Sequence, residues 1–290
     1  MKTVIITGAN SGLGFETARK VAQRDGFRVI LACRNSTKAE AAREAIVADT
    51  AGNVAIGLLD TSSLASVRAF ADGIKATGES IYALVNNAGI SPMGAGGPTA
   101  EGFELVFATN YLGHFLLTNL LLPCMEAGGK ILNITSDMHN PPGGLTWPGT
   151  EAIAHPQDDD RRKYAYSKLC MIYFTHELAD RLAKEGRDVT ANAFNPGFMA
   201  DTNFSKGGGK LRELAVKSTM PDRYGTLATS SDALAQLVAD ECFSTTSGAY
   251  FDRSTRTTRS SELSYNAQNA AELWLKSMEY TGFKSENGEL

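Results

Sequence analysis

The stretch Thr7-Gly8-Ala9-Asn10-Ser11-Gly12-Leu13-Gly14 decides the fold of this chain, because it joins a short apolar run to a helical pattern. Thr3–Thr7 predicts a strand, and the residues from Gly12 onward predict a helix. In such a turn Gly8 permits a tight bend, Gly12 lets the backbone approach a pyrophosphate, and Gly14 lets the helix pack closely. A glycine loop alone is a weak indication. Its place between a first strand and a first helix favours dinucleotide binding.

Short apolar runs alternate with helical patterns along the rest of the chain, which predicts a parallel sheet with helices on both faces. The fold class is therefore a doubly wound α/β Rossmann fold, in which right-handed crossovers bring the C-terminal ends of all strands to one edge. The further predicted strands are Arg28–Cys33, Val54–Leu59, Tyr82–Asn86, Lys130–Thr135 and Val189–Asn195, with a last strand near Tyr250. The predicted helices are Gly12–Arg24, Thr37–Ala48, Leu64–Thr77, most of Glu101–Ala127, and Tyr164–Glu185.

The organisation of the chain indicates one domain over residues 1–286, since no linker divides it. Two loop insertions stand out, Asp137–Lys163 and Phe198–Tyr224. The second contains three consecutive glycines and apolar residues, which fits either a mobile apolar lid or a loop packed onto the core. The residues considered for such a lid are Phe198, Met199, Phe204, Leu211, Leu214 and Met220.

Composition excludes several classes of function. The net charge of −4 and the lack of a basic block argue against nucleic acid or an anionic membrane as partner. The four cysteines are scattered and the four histidines share no metal-like spacing, so we expect no metal site and no disulfide framework. No apolar run predicts a signal peptide or a membrane anchor, and the longest, around Phe115–Pro123, is too short. These features predict a cytoplasmic protein.

The end of the second predicted strand bears on the choice of cofactor. It reads Leu31-Ala32-Cys33-Arg34-Asn35, with no acid to bind a ribose hydroxyl and with Arg34 as its first charge. A charged hydrogen bond to a 2′-phosphate would favour NADPH over NADH by roughly ten- to a hundredfold. Alternatively, Arg34 is a solvated residue at a strand end. Asp60 either accepts from the adenine amine or caps the next helix.

A second group of residues predicts proton chemistry. Tyr164 and Lys168 are four residues apart, so both project from one face of a helix. A phenol with a pKa of about 10 is a poor acid at neutral pH, and a nearby ammonium favours its phenolate. Ser136 ends the fifth strand and could donate a hydrogen bond to the substrate carbonyl oxygen that Tyr164 protonates. Asn110 could hold a water linked to Lys168. The alternatives are Tyr166 as the phenol, or Tyr164 as an ordinary amphipathic residue.

With these residues in order, the chain resembles the short-chain dehydrogenase/reductase family over nearly its full length. The matching pieces are TGANSGLG at 7–14, Asp60, NNAG at 86–89, Asn110, Ser136, Tyr164, Lys168 and Pro196-Gly197. The resemblance implies a catalytic tetrad of Asn110, Ser136, Tyr164 and Lys168 and a seven-stranded parallel sheet. It also implies that Pro196-Gly197 opens the segment over the nicotinamide, with Thr202 near its carboxamide.

Within that family the chain is most similar to the branch of retinol dehydrogenases and light-dependent protochlorophyllide reductases. The similarity lies in LACRN at 31–35, in residues 110–123 and in residues 166–182, and residues 247–251 resemble the pigment reductases in particular. Two departures weigh against pigment reduction. Phe198 stands where those enzymes have Cys, and the insertion before Tyr164 is shorter than theirs. The hydrophobic anchor of many animal retinol dehydrogenases is also absent from this sequence.

The sequence therefore predicts an NADPH-dependent carbonyl reductase or alcohol dehydrogenase. The alternatives are a protochlorophyllide reductase-like enzyme and an NADP(H)-binding regulator without turnover. We expect a small hydrophobic carbonyl or alcohol as substrate and a monomer or homodimer as the assembly. The predicted cofactor-binding residues are Gly8, Asn10, Ser11, Gly12, Leu13, Gly14, Arg34, Asp60, Asn87, Ala88, Gly89, Tyr164, Lys168, Pro196, Gly197 and Thr202.

Overall fold

A single sheet runs through the molecule in the computed structural model, which describes residues 1–91, 96–156, 162–199 and 223–284. Within these residues the sheet has eight strands in the order β3-β2-β1-β4-β5-β6-β7-β8. The strands are β1 Lys2–Thr7, β2 Phe27–Cys33, β3 Asn53–Leu58, β4 Ile81–Asn86, β5 Met125–Ile134, β6 Val189–Asn195, β7 Tyr250–Asp252 and β8 Thr257–Thr258. The first seven pair in parallel, and β8 is antiparallel to β7. The doubly wound fold is confirmed, with one antiparallel edge strand added to the expected seven.

Helices cover both faces of the sheet. Their bounds are α1 Gly12–Ala22, α2 Ser36–Thr50, α3 Leu64–Ala76, α4 Leu105–Phe107, α5 Gly113–Leu121, α6 Thr150–Ala154, α7 Lys163–Lys184, α8 Leu227–Ala239 and α9 Ala267–Thr281. One face carries α1, α2 and α8, and the opposite face carries α3, α5 and α7. The strand order reverses between β1 and β4, and a crevice at such a reversal is where doubly wound folds bind their ligands.

The central strands form because their side chains are apolar on both faces. Val4, Ile5 and Ile6 of β1 are completely buried, and every residue of β4 is buried as well. Parallel strands that are covered by helices on both sides favour such continuous apolar runs over strict alternation. The edge strand β3 differs, since Ile56 and Leu58 are exposed.

Helix α9 packs on the outer side of α5 and α7, which cover the face of the sheet opposite α1. Trp274 packs its ring edge against Phe115 of α5 at a centroid distance of 5.0 Å, and it also contacts Phe174 of α7 at 5.9 Å. The Tyr111 hydroxyl, 2.7 Å from Ser277 Oγ, adds a buried hydrogen bond to this contact. Helices α5 and α7 are thus apolar on more than one side because the sheet and α9 both cover them.

One helical stretch in the described part of the chain, Leu105–Cys124, is long and apolar enough to cross a membrane by length and composition. It lies within the predicted helical stretch Glu101–Ala127, and it exceeds the apolar run Phe115–Pro123 because α4, a π-helical turn at Ala108–Leu112 and α5 follow one another without a break. In this fold 83% of its apolar window is buried, as in the core helix of a soluble protein, so the stretch is weak evidence for a membrane span.

Three elements besides β8 differ from the predicted ones. Strand β5 begins at Met125 instead of Lys130, because a break in its register with β4 accommodates Glu126–Gly129, whose glycines predict no strand. Helix α8 was not predicted, because its small and hydroxyl-bearing residues give a weak pattern. Its burial against α1 stabilises it. The helix α6, within the insertion at 137–163, was not predicted either.

Candidate active site

The predicted pyrophosphate loop follows β1 and packs closely against the backbone that follows β4. A Cβ atom on Gly8, where φ is +67°, would lie 2.9 Å from Cα of Ala88. A Cβ atom on Gly14 would lie 2.5 Å from the Asn87 amide nitrogen. Helix α1 begins at Gly12, and the Ser11 side chain makes no capping hydrogen bond. The first backbone N–H groups of α1 therefore face a cradle of the kind that suits an anion.

A threonine and a histidine that the sequence analysis did not select hold this cradle together. Thr7 Oγ1 accepts from the backbone N–H groups of Asn87 at 2.9 Å and Ala88 at 2.8 Å. It also lies 2.9 Å from Nε2 of His114, whose Nδ1 lies 3.0 Å from the Asn110 carbonyl oxygen. Burial lowers the pKa of His114 to about 4. The ring is therefore neutral, donates from Nδ1 and accepts the Thr7 hydroxyl at Nε2.

Arg34 and Asp60 meet at the outer end of the crevice. The Arg34 guanidinium is exposed, and its Nη1 lies 3.8 Å from Oδ2 of Asp60. The other Asp60 oxygen accepts from the N–H and the hydroxyl of Ser62, at 3.0 and 2.6 Å. Ser63, rather than Asp60, caps α3. The N-cap alternative for Asp60 is therefore wrong, because the carboxylate holds the preceding turn. Cys33 is buried, and burial raises the pKa of its thiol to about 11.

Tyr164 and Lys168 lie on one face of α7, as their spacing predicted. Lys168 is 4% exposed, and its Nζ lies 5.6 Å from the centre of the Tyr164 ring. The same ammonium donates to the Ile134 carbonyl at 3.0 Å. Burial lowers the pKa of Lys168 to about 8. Tyr166 is buried in the core cluster around α7, with the Arg162 guanidinium over its ring. Tyr164 is therefore the phenol beside the lysine.

Asn110 lies in the π-helical turn Ala108–Leu112 and borders the lysine through Gly89. Its Oδ1 accepts from the Ile90 N–H at 2.7 Å, and its Nδ2 donates to the Ile90 carbonyl at 3.1 Å and to Ser167 Oγ at 3.0 Å. The side chain is thus occupied by protein groups. A water link to Lys168 through this side chain would have to displace one of these protein partners.

Ser136 lies directly beyond β5 and starts a short 3₁₀ turn, Asp137–His139. Its Oγ accepts from the Met138 N–H at 3.2 Å, a role that does not use the hydroxyl hydrogen. The preceding Thr135 donates from Oγ1 to the Lys168 carbonyl at 2.9 Å, so the end of β5 is tied to α7. Ser136 at the end of β5 and Tyr164 on α7 are therefore held on elements that are hydrogen-bonded to each other.

Pro196-Gly197 follows β6 at the same edge. The Pro196 carbonyl accepts from Ser230 Oγ at 2.7 Å. Phe198 then pairs with Tyr224 in an isolated parallel bridge, so the two ends of the second insertion are held together. Thr202 and the lid candidates Phe204, Leu211, Leu214 and Met220 lie outside the described residues.

The family model described as short chain dehydrogenase matches residues 2–146. Retinol dehydrogenase 13 of Homo sapiens is 35% identical over 301 residues, covering 98% of this chain and 86% of that protein. The chain belongs to the short-chain dehydrogenase family. Within the family it lies in the branch of the retinol dehydrogenases. Retinol dehydrogenase 12 of Bos taurus is 41% identical over 206 residues, which are 68% of this chain and 61% of that protein.

A solved structure supports the same assignment along the whole chain. An uncharacterized protein from Mycobacterium Paratuberculosis superposes with a TM-score of 0.73 at 32% identity, covering 100% of this chain and 96% of the other. Family membership makes this protein an oxidoreductase that acts on CH–OH or C=O groups with a nicotinamide cofactor. The glycine cradle fits such a dinucleotide, because Gly8 and Gly14 let the loop pack directly against the segment after β4, and α1 begins at Gly12 with backbone N–H groups that suit a pyrophosphate.

In this short-chain dehydrogenase, we expect Lys168→Met to stabilise the cofactor-free protein. The folded-state pKa of about 8 lies below the ordinary 10.5, so the unfolded chain binds more protons between these values. The cost of the buried ammonium is present in full at and below pH 8 and disappears as the pH rises to 10.5. After subtracting the lost hydrogen bond to Ile134, we expect Lys168→Met to gain about 1–2 kcal/mol at pH 7.

Urea unfolding of wild type and Lys168→Met at pH 7 and pH 10.5 measures this gain. The exposed Lys184, near the end of the same helix, provides the control Lys184→Met, for which we expect no gain. A Lys168→Met protein that is less stable than wild type at pH 7 would contradict the expectation. It would mean that the hydrogen bond to Ile134 outweighs the burial of charge.

Proposed function

We propose that this protein is an NADPH-dependent carbonyl reductase, or alcohol dehydrogenase in the reverse direction. The observation that carries the proposal is the pairing of Tyr164 with the buried Lys168 beside Gly89, at the edge of the sheet where the glycine cradle opens. A phenol and an ammonium so placed can give or take a proton at an oxygen in that crevice. The bound nicotinamide supplies or accepts the hydride.

The protein groups divide the remaining work. Tyr164 gives its proton to the carbonyl oxygen, and Lys168 favours the phenolate that remains. Ser136 donates its hydroxyl hydrogen to the same oxygen and so orients the carbonyl. Asn110 holds the Ile90 backbone and Ser167 of α7, which fixes the wall next to Lys168.

Arg34 supports the choice of NADP(H) over NAD(H). Its guanidinium is 73% exposed and lies at the end of β2, where no carboxylate precedes it to repel a phosphate. Asp60 at 3.8 Å is its neighbour in the described structure, and a 2′-phosphate offers a stronger, bidentate partner. Gly8, Asn10, Ser11, Gly12, Leu13 and Gly14 would hold the pyrophosphate, and Asn87, Ala88, Gly89, Pro196 and Gly197 would border the ribose and nicotinamide.

A substrate screen tests the proposal. Aldehydes, ketones and alcohols, with retinal and retinol among them because two relatives are named for retinol, are offered with NADPH and with NADH, and cofactor absorbance is followed. Tyr164→Phe, purified in parallel, reveals any contaminating reductase, because activity that persists in it does not come from this site. Tight NADPH binding without turnover of any compound would favour the regulator over the enzyme.

We also propose a cytoplasmic monomer that acts on a small hydrophobic substrate. Within the described residues all four cysteines are free thiols, as in reducing compartments. The apolar faces of α5 and α7 are covered by α9 of the same chain, which favours a monomer over a homodimer through those helices. Light scattering during size-exclusion chromatography measures the mass directly.

A further inference from the structure

A polar cluster at the C-terminal ends of β6 and β7 lies next to the site and has no assigned role. At its centre is Asn195, which is completely buried. Its Nδ2 donates to Oδ1 of Asp137 at 2.9 Å and to Oδ1 of Asp252 at 2.8 Å. Its Oδ1 accepts from the Gly197 N–H at 3.0 Å. Both amide hydrogens are therefore used, and the third bond reaches the backbone that follows Pro196.

Arg253 holds the same two carboxylates from the other side. Its Nη1 lies 3.3 Å from Oδ2 of Asp137, and its Nη2 forms an ion pair with Asp252. Arg253 has a left-handed backbone with φ of +54°, and its N–H donates to the Asn195 carbonyl at 2.8 Å. The Cδ atom of Arg253 lies only 2.7 Å from the position that a Cβ atom on Gly197 would take, so a larger residue at 197 would clash with it. A non-glycine residue in this conformation is strained, so the surrounding contacts must stabilise it.

The cluster joins two segments that carry candidate catalytic and cofactor groups. Asp137 directly follows Ser136, and Gly197 directly follows Pro196. Burial raises the pKa of Asp137, and the positive charge of Arg253 opposes that shift. His139 fastens the far end of the same turn, since its Nδ1 lies 2.7 Å from the Ser136 carbonyl and its Nε2 accepts from the Ser261 N–H at 3.1 Å.

We propose that Asp137 and Asn195 are positioning residues, which set the distance between the Ser136 hydroxyl and the Pro196-Gly197 segment. They act through Ser136 and Gly197 and not on the substrate. This inference rests on the proposed function for its kinetic consequence, but its structural consequence does not. A loss of either residue lets the Ser136 turn move relative to the nicotinamide side of the crevice, and hydride transfer is sensitive to such displacements.

Another buried asparagine of β6 provides a control that distinguishes a positioning role from a general effect on stability. Asn192 is 4% exposed, donates to the Thr246 carbonyl at 2.6 Å and accepts from the Ala249 N–H at 3.0 Å. It ties β6 to the segment before β7 without touching Asp137 or Gly197. Asn192→Asp therefore serves as a matched control on the same strand.

The first experiment uses the cofactor-free protein and follows amide hydrogen exchange. Asp137→Asn keeps the volume and an acceptor for Asn195, but it sets an amide N–H against the Arg253 guanidinium. We expect exchange at residues 136–140 and 196–198 to accelerate by about tenfold or more, with other segments unchanged. Asn192→Asp should accelerate residues 246–250 instead. Uniform acceleration, or no acceleration at residues 136–140, would overturn the proposal. Arg253→Gln cuts the same ion pair and replaces Asp137→Asn if that variant does not fold.

The second experiment is a double-mutant cycle with Ser136→Ala on a substrate found in the screen. We expect Asp137→Asn to lower kcat about tenfold with the KM for NADPH within about threefold of wild type. In the Ser136→Ala background the same change should lower kcat by less than about twofold, because Ser136 is the group through which Asp137 acts. If the two changes together lower kcat by the product of their single effects, the proposal is overturned. If the wild type turns over no compound, the proposed function fails, and the exchange result alone decides this inference.

Discussion

Replacing Tyr164 by Phe should lower kcat by about 10²–10⁴-fold, the range that general acid–base catalysis contributes. The dissociation constant for NADPH should stay within about threefold of wild type, since the loss is in transition-state stabilisation and not in ground-state binding. The expected effect is large because Lys168 lies over the Tyr164 ring, where its charge favours the phenolate that proton transfer leaves. Steady-state kinetics and fluorescence titration with NADPH measure the two quantities.

Tyr166→Phe is the matched control for this prediction. It removes a phenol two residues away on the same helix, but Tyr166 is buried in the core cluster of α7. We expect its kcat to stay within about threefold of wild type, because its hydroxyl does not act in the transition state. Full turnover in Tyr164→Phe together with a large loss in Tyr166→Phe would show that the assignment of the proton donor is wrong.

The second large effect concerns the cofactor. We expect the wild type to prefer NADPH to NADH by at least about tenfold in kcat/KM, the low end of what one charged hydrogen bond supplies. Cys33→Asp combined with Arg34→Leu should reverse the order, because the new carboxylate accepts from a ribose hydroxyl and repels the phosphate. The preference should also weaken as salt rises, since Arg34 is 73% exposed.

Arg43→Leu is the control for the cofactor reversal. Arg43 lies on α2 and pairs with Glu40, so its loss removes the same charge as Arg34→Leu does without touching the strand end. It should leave the ratio of kcat/KM for the two cofactors unchanged. Equal use of NADPH and NADH by the wild type, or no change in the double variant, would leave Arg34 as a solvated residue at the end of β2.

The sequence predicted what depends on local pattern and short spacing. The central strands are buried apolar runs, the glycine turn follows β1 directly, and Tyr164 and Lys168 need only helical geometry to share a face. The sequence also predicted that Ser136 follows the fifth strand and that Pro196-Gly197 follows the sixth. Because parallel strands end at the same edge of the sheet, this order places both segments there. Their roles remain predictions until the variants are measured.

What the sequence could not show are bonds between residues far apart in the chain. Thr7 and His114 are separated by 107 positions, and neither carries a pattern that marks it. The same holds for Asn195 and Asp137, which are 58 positions apart. The bulge in β5 depends on pairing with β4, and α8 depends on packing against α1. In each case tertiary contact, and not propensity, decides the structure.

The cover that α9 provides has a consequence for how the protein is made. A nascent chain leaves the ribosome with α5 and α7 long before Trp274 appears, so Phe115 and Phe174 lack one of their packing partners while synthesis continues. Helix α1 likewise waits for α8, which forms from residue 227 onward. Both layers around the sheet therefore close late. Newly made chains should depend on chaperones during this interval, and release of a chain cut short before Trp274 should lead to aggregation or degradation rather than to a partly active enzyme.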